Sequence, residues 1–413
     1  MLPNASDAAL NSDPDFIGKI MHKPYNIDGD KHICRVPVEM LFCESNDFIH
    51  GPNAYAERPP LWHQQHNITD GLPIMSLRSH IRLFEGFFDP SQLDVSYYEN
   101  WWNTIHNTMG IALPCSAADQ ISQRYDYFNH LNARYAENGI EDEAFLLEGE
   151  YDASTGRFIL RDGHHRTCYL IARRERWANV RMSRSSFSAL FEPSIGERVR
   201  NHVDKVGYSQ PYAPIEHPQF HIPFAYRDNF FPNRLSCIAD TLGYIRPASV
   251  LDIGCNAGYF SRHFSRMGAH VVGVEPQDCH FSTASILNEL FNTQCDFRQD
   301  TAENVDLGDQ VFEVAIMLTV LYHFLDKGDT AVKIAKKIDS HVSHFVFWES
   351  GSDAAREIEF MKRHTGFSAY RRLRMTSGTG RVRELGVFAR ESDTIDNLLA
   401  FNPYHQIMLA HTH

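Results

Sequence analysis

The sequence lacks the features of several large protein classes. Its 413 residues contain no apolar run of the ~18–20 residues that a membrane helix requires, which argues against a membrane-spanning protein. The N-terminus has no basic start followed by an apolar core, so it does not resemble a secretory signal. The eight cysteines form no CxxC pair, which argues against a zinc ribbon or a disulfide framework. We therefore expect a cytoplasmic protein with reduced thiols and no metal site.

Positive charge is also scarce. The 39 lysines and arginines face 52 acidic residues, which gives a formal net charge of −13. A chain of this charge lacks the broad positive field that attracts phosphate backbones, which argues against a nucleic-acid partner. The hydrophobic share of 43% is typical of a globular enzyme, and the length predicts two or three domains. The oligomeric state stays open.

The second half of the chain alternates between strand and helix patterns. The alternation predicts an α/β fold with a parallel sheet and helices on both faces. The predicted strands are 249–255, 270–276, 295–300, 311–321 and 344–350. The predicted helices are 235–245, 257–268, 280–292 and 330–340.

A glycine turn follows the first of these strands, in VLDIGCNAGYF. Gly254 and Gly258 let the backbone approach a ligand closely, and the next helix begins at the same point. Glu275, at the end of the second strand, suits the ribose hydroxyls of a nucleoside. Asp252 would repel a pyrophosphate, so the turn favours a cationic, amino-acid-bearing ligand such as S-adenosylmethionine (SAM).

The motifs of this half resemble those of class I SAM-dependent methyltransferases. VLDIGCNAGYF with VVGVEP, RQDTAENV and FEVAIMLTVLYHF follow one another in the order of that family, over about residues 230–390. The resemblance implies a Rossmann-like, mostly parallel seven-stranded sheet that binds SAM. The cofactor residues that it implies are Asp252, Gly254, Cys255, Asn256, Gly258, Tyr259, Glu275, Pro276, Asp300, Thr301, Ala302, Leu318 and Thr319. Glu313 stands where the family often has Asp, and we expect it to cap its strand.

His323 is the candidate catalytic base, because the resemblance directs it at the methyl group and histidine titrates near neutral pH. Tyr322 and Glu349 are further candidates for the acceptor pocket, and a structural role is equally open for all three. No NPPY or DPPY tetrad follows the fourth strand, which argues against methylation of nucleobase or amide nitrogen. The strand-4 pattern and RELGVFAR resemble methyltransferases of small molecules or glycans, including those of bacterial surface polysaccharides.

A second glycine turn lies in the first half, in RFILRDGHHRTCYLIARR, between a predicted hairpin at 144–163 and a helix at 164–176. The helix N-terminus, Arg166 and the Thr167 hydroxyl predict an anion site. The turn resembles that of ParB/sulfiredoxin-like domains, as does the strand RVPVEMLFCE, so we expect an α+β domain with a helical insertion at about 60–140. The resemblance implies a phosphate, ATP or another nucleotide bound by Asp162, Gly163, His164, His165, Arg166 and Thr167. In a kinase of this kind a carboxylate acts as base, and Glu39 and Glu44 are the alternatives.

These patterns predict two functional units. The predicted segments are a polar arm at 1–30, the first domain at 31–190, an irregular, proline-rich linker at 191–234, the methyltransferase domain at 235–395 and a tail at 396–413. The function that we predict is O-methylation of a small molecule or glycan, with an N-terminal unit that is either a kinase or a binding module. The alternatives are a tRNA or rRNA methyltransferase and a non-catalytic nucleotide-binding regulator.

Overall fold

A computed structural model describes residues 26–28, 31–43, 73–109, 114–191, 193–205, 213–222, 230–242, 247–378 and 381–400. It contains a six-stranded sheet in the first half of the chain and a seven-stranded sheet in the second. A two-stranded hairpin lies between these sheets in the sequence. Most of the predicted arm, the C-terminal tail beyond 400 and Glu44 lie outside these residues.

The first sheet has the strand order β1-β2-β6-β4-β5-β3. Its strands are β1 (Asn26–Asp28), β2 (Lys31–Pro37), β3 (Leu41–Cys43), β4 (Leu147–Asp152), β5 (Arg157–Asp162) and β6 (Trp177–Ser183). The strand predicted in RVPVEMLFCE is interrupted, because a 3₁₀ turn at Val38–Met40 follows Pro37 and separates β2 from β3. The predicted hairpin is confirmed as antiparallel β4 and β5.

In the described part of the first half, six helices accompany this sheet: α1 (Arg78–Phe88), α2 (Ser96–Met109), α3 (Ala117–Asn138), α4 (His164–Ala172), α5 (Arg184–Leu190) and α6 (Pro193–Lys205). The first three occupy the predicted helical insertion. α3 begins with a capping box between Ser116 and Asp119 and ends before Gly139, whose φ is +66°.

The linker predicted at 191–234 is not irregular. It contains α6, the hairpin of β7 (Ile215–His217) with β8 (Phe220–Ile222), and the start of α7 (Phe230–Leu242). The prolines misled the prediction, since Pro193 is the first residue of α6 and Pro232 lies in the first turn of α7. At these positions a missing N–H costs no hydrogen bond.

The second sheet has the order β11-β10-β9-β12-β13-β15-β14. The first five strands in this order are parallel, β15 pairs antiparallel with β13, and β14 pairs antiparallel with β15. Its strands are β9 (Ser249–Ile253), β10 (His270–Val274), β11 (Cys295–Arg298), β12 (Phe312–Leu318), β13 (Val342–Glu349), β14 (Ala369–Gly378) and β15 (Arg381–Ala389). Its helices are α8 (Tyr259–Arg266), α9 (Asp278–Leu290), α10 (Asp329–His341), α11 (Ala354–His364) and α12 (Ser392–Ala400). The Rossmann-like, mostly parallel seven-stranded sheet is confirmed. The strand order reverses between β9 and β12, where open α/β sheets bind their ligands.

The two halves share buried apolar side chains. Phe42 and Met75 of the first half are buried in a cluster with Leu235 of the second. Phe291 of the second half is buried in the main cluster of the first. An ion pair joins Arg78 to Asp240, with 3.2 Å between Nε and Oδ1. The halves are therefore packed together directly.

Among the residues that the structure describes, no helix combines the length and the apolar character needed to cross a bilayer.

Candidate cofactor and active site

The glycine turn between β9 and α8 requires glycine at two positions. Gly254 and Gly258 have φ angles of +71° and +72°, a region that other L-residues seldom adopt. A Cβ on Gly254 would lie 2.7 Å from Cγ2 of Val320, and one on Gly258 would lie 2.5 Å from the Phe297 ring. The turn therefore forms a narrow cradle that leads into the N-terminus of α8.

Asp252 lies at the end of β9 and is 3% exposed. Its Oδ2 accepts a hydrogen bond of 2.6 Å from the Ser261 hydroxyl. Burial raises the pKa of Asp252 to about 6, and Glu275 adds to the rise, whereas the hydrogen bonds from Ser261 oppose it. A cationic group beside this carboxyl would favour its charged form, so Asp252 fits the ammonium group of SAM.

Glu275 follows β10 and ties two loops together. Its Oε2 accepts a bond of 3.0 Å from the backbone N–H of Asn256, and its Oε1 accepts one of 2.9 Å from Gln277 N–H. Burial raises the pKa of this carboxyl. Each carboxylate oxygen has a second lone pair, so Glu275 retains the capacity to accept bonds from ribose hydroxyls.

Two non-glycine residues of the predicted cofactor site have positive φ. Asn256 has +52° and Thr319, at the end of β12, has +57°. The N–H of Thr319 donates to the Glu349 carbonyl over 3.0 Å. Such backbone conformations are costly and cluster at functional sites, and both residues lie at the carboxyl edge of the sheet.

Two other predicted cofactor residues direct their side chains elsewhere. The thiol of Cys255 lies against β10, because a Cβ added to Gly273 of that strand would be 3.0 Å from its Sγ. Burial raises the pKa of this thiol well above the ordinary value. The hydroxyl of Tyr259 donates to Oε2 of Glu39 over 2.5 Å. For a ligand in the turn, these residues therefore offer backbone atoms.

The segment after β11 leaves a buried hydroxyl unsatisfied. Asp300 Oδ1 accepts a bond of 2.7 Å from Thr301 N–H. The Oγ1 of Thr301 is buried and has no hydrogen-bond partner among the described residues. Buried polar atoms are normally paired, so this hydroxyl fits a polar edge of a bound nucleoside. The remaining predicted residues near the edge are exposed Pro276 and buried Ala302 and Leu318.

His323 ends a 3₁₀ turn, Leu321–His323, that follows β12. The ring is exposed, and its centroid lies 3.9 Å from that of Tyr322. Partial burial lowers the pKa of His323, and the charges of Lys327 and Arg383 lower it further. His323 is therefore neutral near pH 7 and has a lone pair available to accept a proton.

Arg383 of β15 is a neighbour of this turn that the sequence analysis missed. Its Nη1 donates to the carbonyls of Ser350 and Gly351 over 3.0 and 2.7 Å, and its guanidinium carbon lies 5.9 Å from the centroid of the Tyr322 ring. A Cβ on Gly351 would lie 1.9 Å from that ring. Tyr322 is thus held against the backbone after β13 and supports His323.

Glu349 is fully buried, which separates it from an acceptor pocket. It pairs with Arg234 over 3.0 Å and accepts a bond of 2.6 Å from the Thr376 hydroxyl. A buried charge with both partners in place is structural. Glu313 accepts a bond of 2.7 Å from Ala248 N–H, which agrees with the strand-capping role expected for it.

The second glycine turn precedes α4, and its groups mostly bond to one another. Gly163 has φ +103°, and its N–H donates to Asp162 Oδ1 over 2.7 Å. Arg166 donates to Asp162 Oδ2 over 2.6 Å and to the Leu146 carbonyl over 2.5 Å. The buried Thr167 hydroxyl donates to the Gly163 carbonyl over 2.9 Å, which is a bond at the start of its own helix.

The two histidines of this turn differ in their surroundings. His164 is half-buried, whereas the His165 ring lies 4.6 Å from that of His80, and burial lowers the pKa of His165 well below its ordinary value. Within the described ranges, no group of three or more His, Cys, Asp or Glu side chains could hold a metal ion.

A cleft of about 570 Å³ opens beside the second turn. Three guanidinium groups line it, from Arg134, Arg166 and Arg181, together with three carboxyl groups, from Glu143, Glu148 and Asp162. Glu39 is not among its lining residues within the described chain, which argues against Glu39 as a base there.

The sheet order, the glycine cradle and the two buried acids Asp252 and Glu275 together form a Rossmann-like ligand site at the carboxyl edge of the second sheet. Residues 250–341 match the family described as "Methyltransferase domain".

Curated relatives match part of the chain. A ubiquinone biosynthesis O-methyltransferase of Nitrobacter winogradskyi is 32% identical over 90 residues, which is 22% of this chain and 34% of that protein. A protein of the same description from Azorhizobium caulinodans is 34% identical over 90 residues, 22% of this chain and 36% of that protein. The chain thus spans about a third of the length of these relatives.

Among solved structures, magnesium protoporphyrin IX methyltransferase from Synechocystis with bound SAM is similar at 19% identity. The match covers 40% of this chain and 78% of that one, with a TM-score of 0.33.

Proposed function

We propose that the protein is a SAM-dependent methyltransferase that acts on an oxygen atom of a small molecule or glycan. The observation that supports this most is the meeting of Asp252, the glycine cradle, Glu275 and His323 at the point where the strand order reverses. SAM, when bound, supplies an electrophilic methyl group.

The chain's own residues divide the remaining work. Asp252 binds the ammonium group and Glu275 the ribose hydroxyls, while the cradle allows close approach of the backbone. His323, which is neutral near pH 7, takes the proton of an acceptor hydroxyl. Positioning the acceptor and the cofactor beside each other contributes most of the rate.

The experiment is a screen of small alcohols, phenols and glycans for release of S-adenosylhomocysteine (SAH). With an acceptor in hand, His323→Ala should lower kcat about 100-fold, as for the loss of a general base, and leave the affinity for SAM unchanged. His344→Ala, which changes a histidine away from this edge, is the matched control. An unchanged kcat in His323→Ala would contradict the assignment of the base.

For the first half we propose a ParB/sulfiredoxin-like domain whose cleft binds a phosphate group or a nucleotide such as ATP. The three arginines of the cleft and the left-handed Gly163 before α4 support this proposal. Titration with ATP and with inorganic phosphate tests it, with Arg181→Ala expected to weaken binding and surface Arg198→Ala expected to have no effect. Transfer of labelled phosphate from ATP would identify a kinase, whereas binding without transfer would identify a recognition module. Absence of binding to either probe would contradict the proposal.

We also propose a cytoplasmic location. All eight cysteines lie in the described part of the chain, and none of them forms a disulfide bond there.

A further inference from the structure

We infer that Glu39, in the first half of the chain, is a positioning residue for the cofactor site of the second half and acts through Tyr259. The inference rests on the proposed function. Tyr259 is the first residue of α8 and directly follows Gly258 of the cradle. Its hydroxyl donates to Oε2 of Glu39 over 2.5 Å, although the two residues are 220 positions apart.

The bond between Tyr259 and Glu39 is of a strong kind. Tyr259 is 3% exposed, and burial together with the Glu39 carboxylate raises its pKa well above the ordinary value. The phenol therefore stays protonated and donates a hydrogen bond to the carboxylate, and such a charge-assisted hydrogen bond is short and strong. Removal of either partner therefore breaks a buried, charge-assisted hydrogen bond at the first turn of α8.

The turn that carries Glu39 is itself held in place. Glu39 is the middle residue of the 3₁₀ turn Val38–Met40, and the N–H of Val38 donates to the Arg176 carbonyl over 3.0 Å. The chain enters this turn from β2 and leaves it into β3, both of which are paired within the first sheet. The backbone at Glu39 is thus held by the first sheet, and its carboxyl group fixes the position of the Tyr259 hydroxyl.

Displacement of Tyr259 would reach the cradle without an intervening flexible segment. Gly258 N–H donates to the Cys255 carbonyl over 2.9 Å, and Arg262 of α8 donates through its guanidinium to the Ala257 carbonyl. The Arg262 guanidinium carbon is also 4.8 Å from the centroid of the Phe291 ring, which is buried in the core of the first half. The cradle is therefore held on one side by Arg262 of α8, which also contacts the core of the first half, and on the other by Glu275, which binds the Asn256 N–H.

The experiment compares full-length variants by titration with SAH and by the KM for SAM. Glu39→Ala and Tyr259→Phe should each weaken SAH binding and raise KM about tenfold, and the double variant should be no worse than either. Glu39→Gln retains an oxygen that can accept a hydrogen bond from the phenol, so its SAH affinity and its KM for SAM should stay within about threefold of the wild-type values. The control is Arg198→Ala, which removes a surface ion pair to Glu289 that also joins the two halves, and it should change neither quantity.

Melting temperatures separate a positioning role from a merely structural one. If Tyr259→Phe and Glu39→Ala lower the Tm but bind SAH as the wild type does, the inference is overturned. Tyr259→Phe removes a single oxygen atom, so it supplies the decisive comparison if Glu39→Ala does not fold. A wild-type protein that binds neither SAM nor SAH would instead overturn the proposed function, and the inference with it.

Discussion

At the end of β9, the carboxyl group of Asp252 is buried and has a pKa of about 6, above the ordinary value of 3.8. A carboxyl group whose pKa is raised by folding favours the folded state while it is protonated. This contribution is complete below about pH 4 and is lost as the pH rises through about 6. Near neutral pH the protein without ligand therefore carries a buried negative charge, and a cationic ligand would compensate for it.

The variant Asp252→Asn removes that charge and keeps the size of the side chain. We expect it to raise the free energy of unfolding of the ligand-free protein by about 1–3 kcal/mol near pH 7.5, and to have little effect below about pH 4. Urea unfolding at both pH values measures this, with exposed Asp309→Asn as the control. A variant that is less stable than the wild type near pH 7.5 would contradict the account of this site.

The residues of the cofactor site differ in how far the sequence could predict them. Asp252, Gly254, Gly258 and Glu275 lie within two consecutive strand–turn units, so a local motif contains them. The contact of Glu39 with Tyr259 spans 220 positions and that of Arg234 with Glu349 spans 115, and no local pattern encodes either. The motif likewise does not show that the Thr167 hydroxyl donates to the Gly163 carbonyl at the start of its own helix.

At the scale of elements, the turn between β9 and α8 depends on Gly258. Gly258→Ala would place a residue with φ +72° and a Cβ 2.5 Å from the Phe297 ring. We expect a loss of about 2–3 kcal/mol in the free energy of unfolding together with weaker SAM binding. Gly308→Ala is the matched control, since its φ is +55° and nothing lies within 4 Å of its Cβ. It should cost about 1 kcal/mol and leave SAM binding intact, and equal effects of the two variants would contradict this account.

The elements that the sequence predicted best are buried strands, which appear as continuous runs of apolar residues. The buried strands β9, β10 and β12 were predicted to within a few residues. α11 and β14 were missed, and β14 is rich in exposed arginine because it is the edge strand of its sheet. Such a strand shows no continuous apolar run, so its pairing with β15 is determined by the tertiary structure.

At the scale of the whole molecule, the two halves unfold together if their shared packing is as extensive as the structure shows. Phe291 contributes to the core of the first half and Phe42 to that of the second. We therefore expect a single cooperative transition in calorimetry of the full-length protein, because neither core is complete without the other half. Two well-separated transitions would contradict this and would favour independent domains.

The central claim is that the carboxyl edge of the second sheet binds SAM with Asp252 as the partner of its ammonium group. Calorimetric titration of the full-length protein with SAM near pH 7.5 and near pH 5 tests it most directly. We expect binding near pH 7.5 that weakens about tenfold near pH 5, where Asp252 takes up a proton, and a loss of about tenfold or more in Asp252→Asn near pH 7.5. Absence of SAM binding, or binding that is the same in the wild type and in Asp252→Asn at both pH values, would contradict the claim.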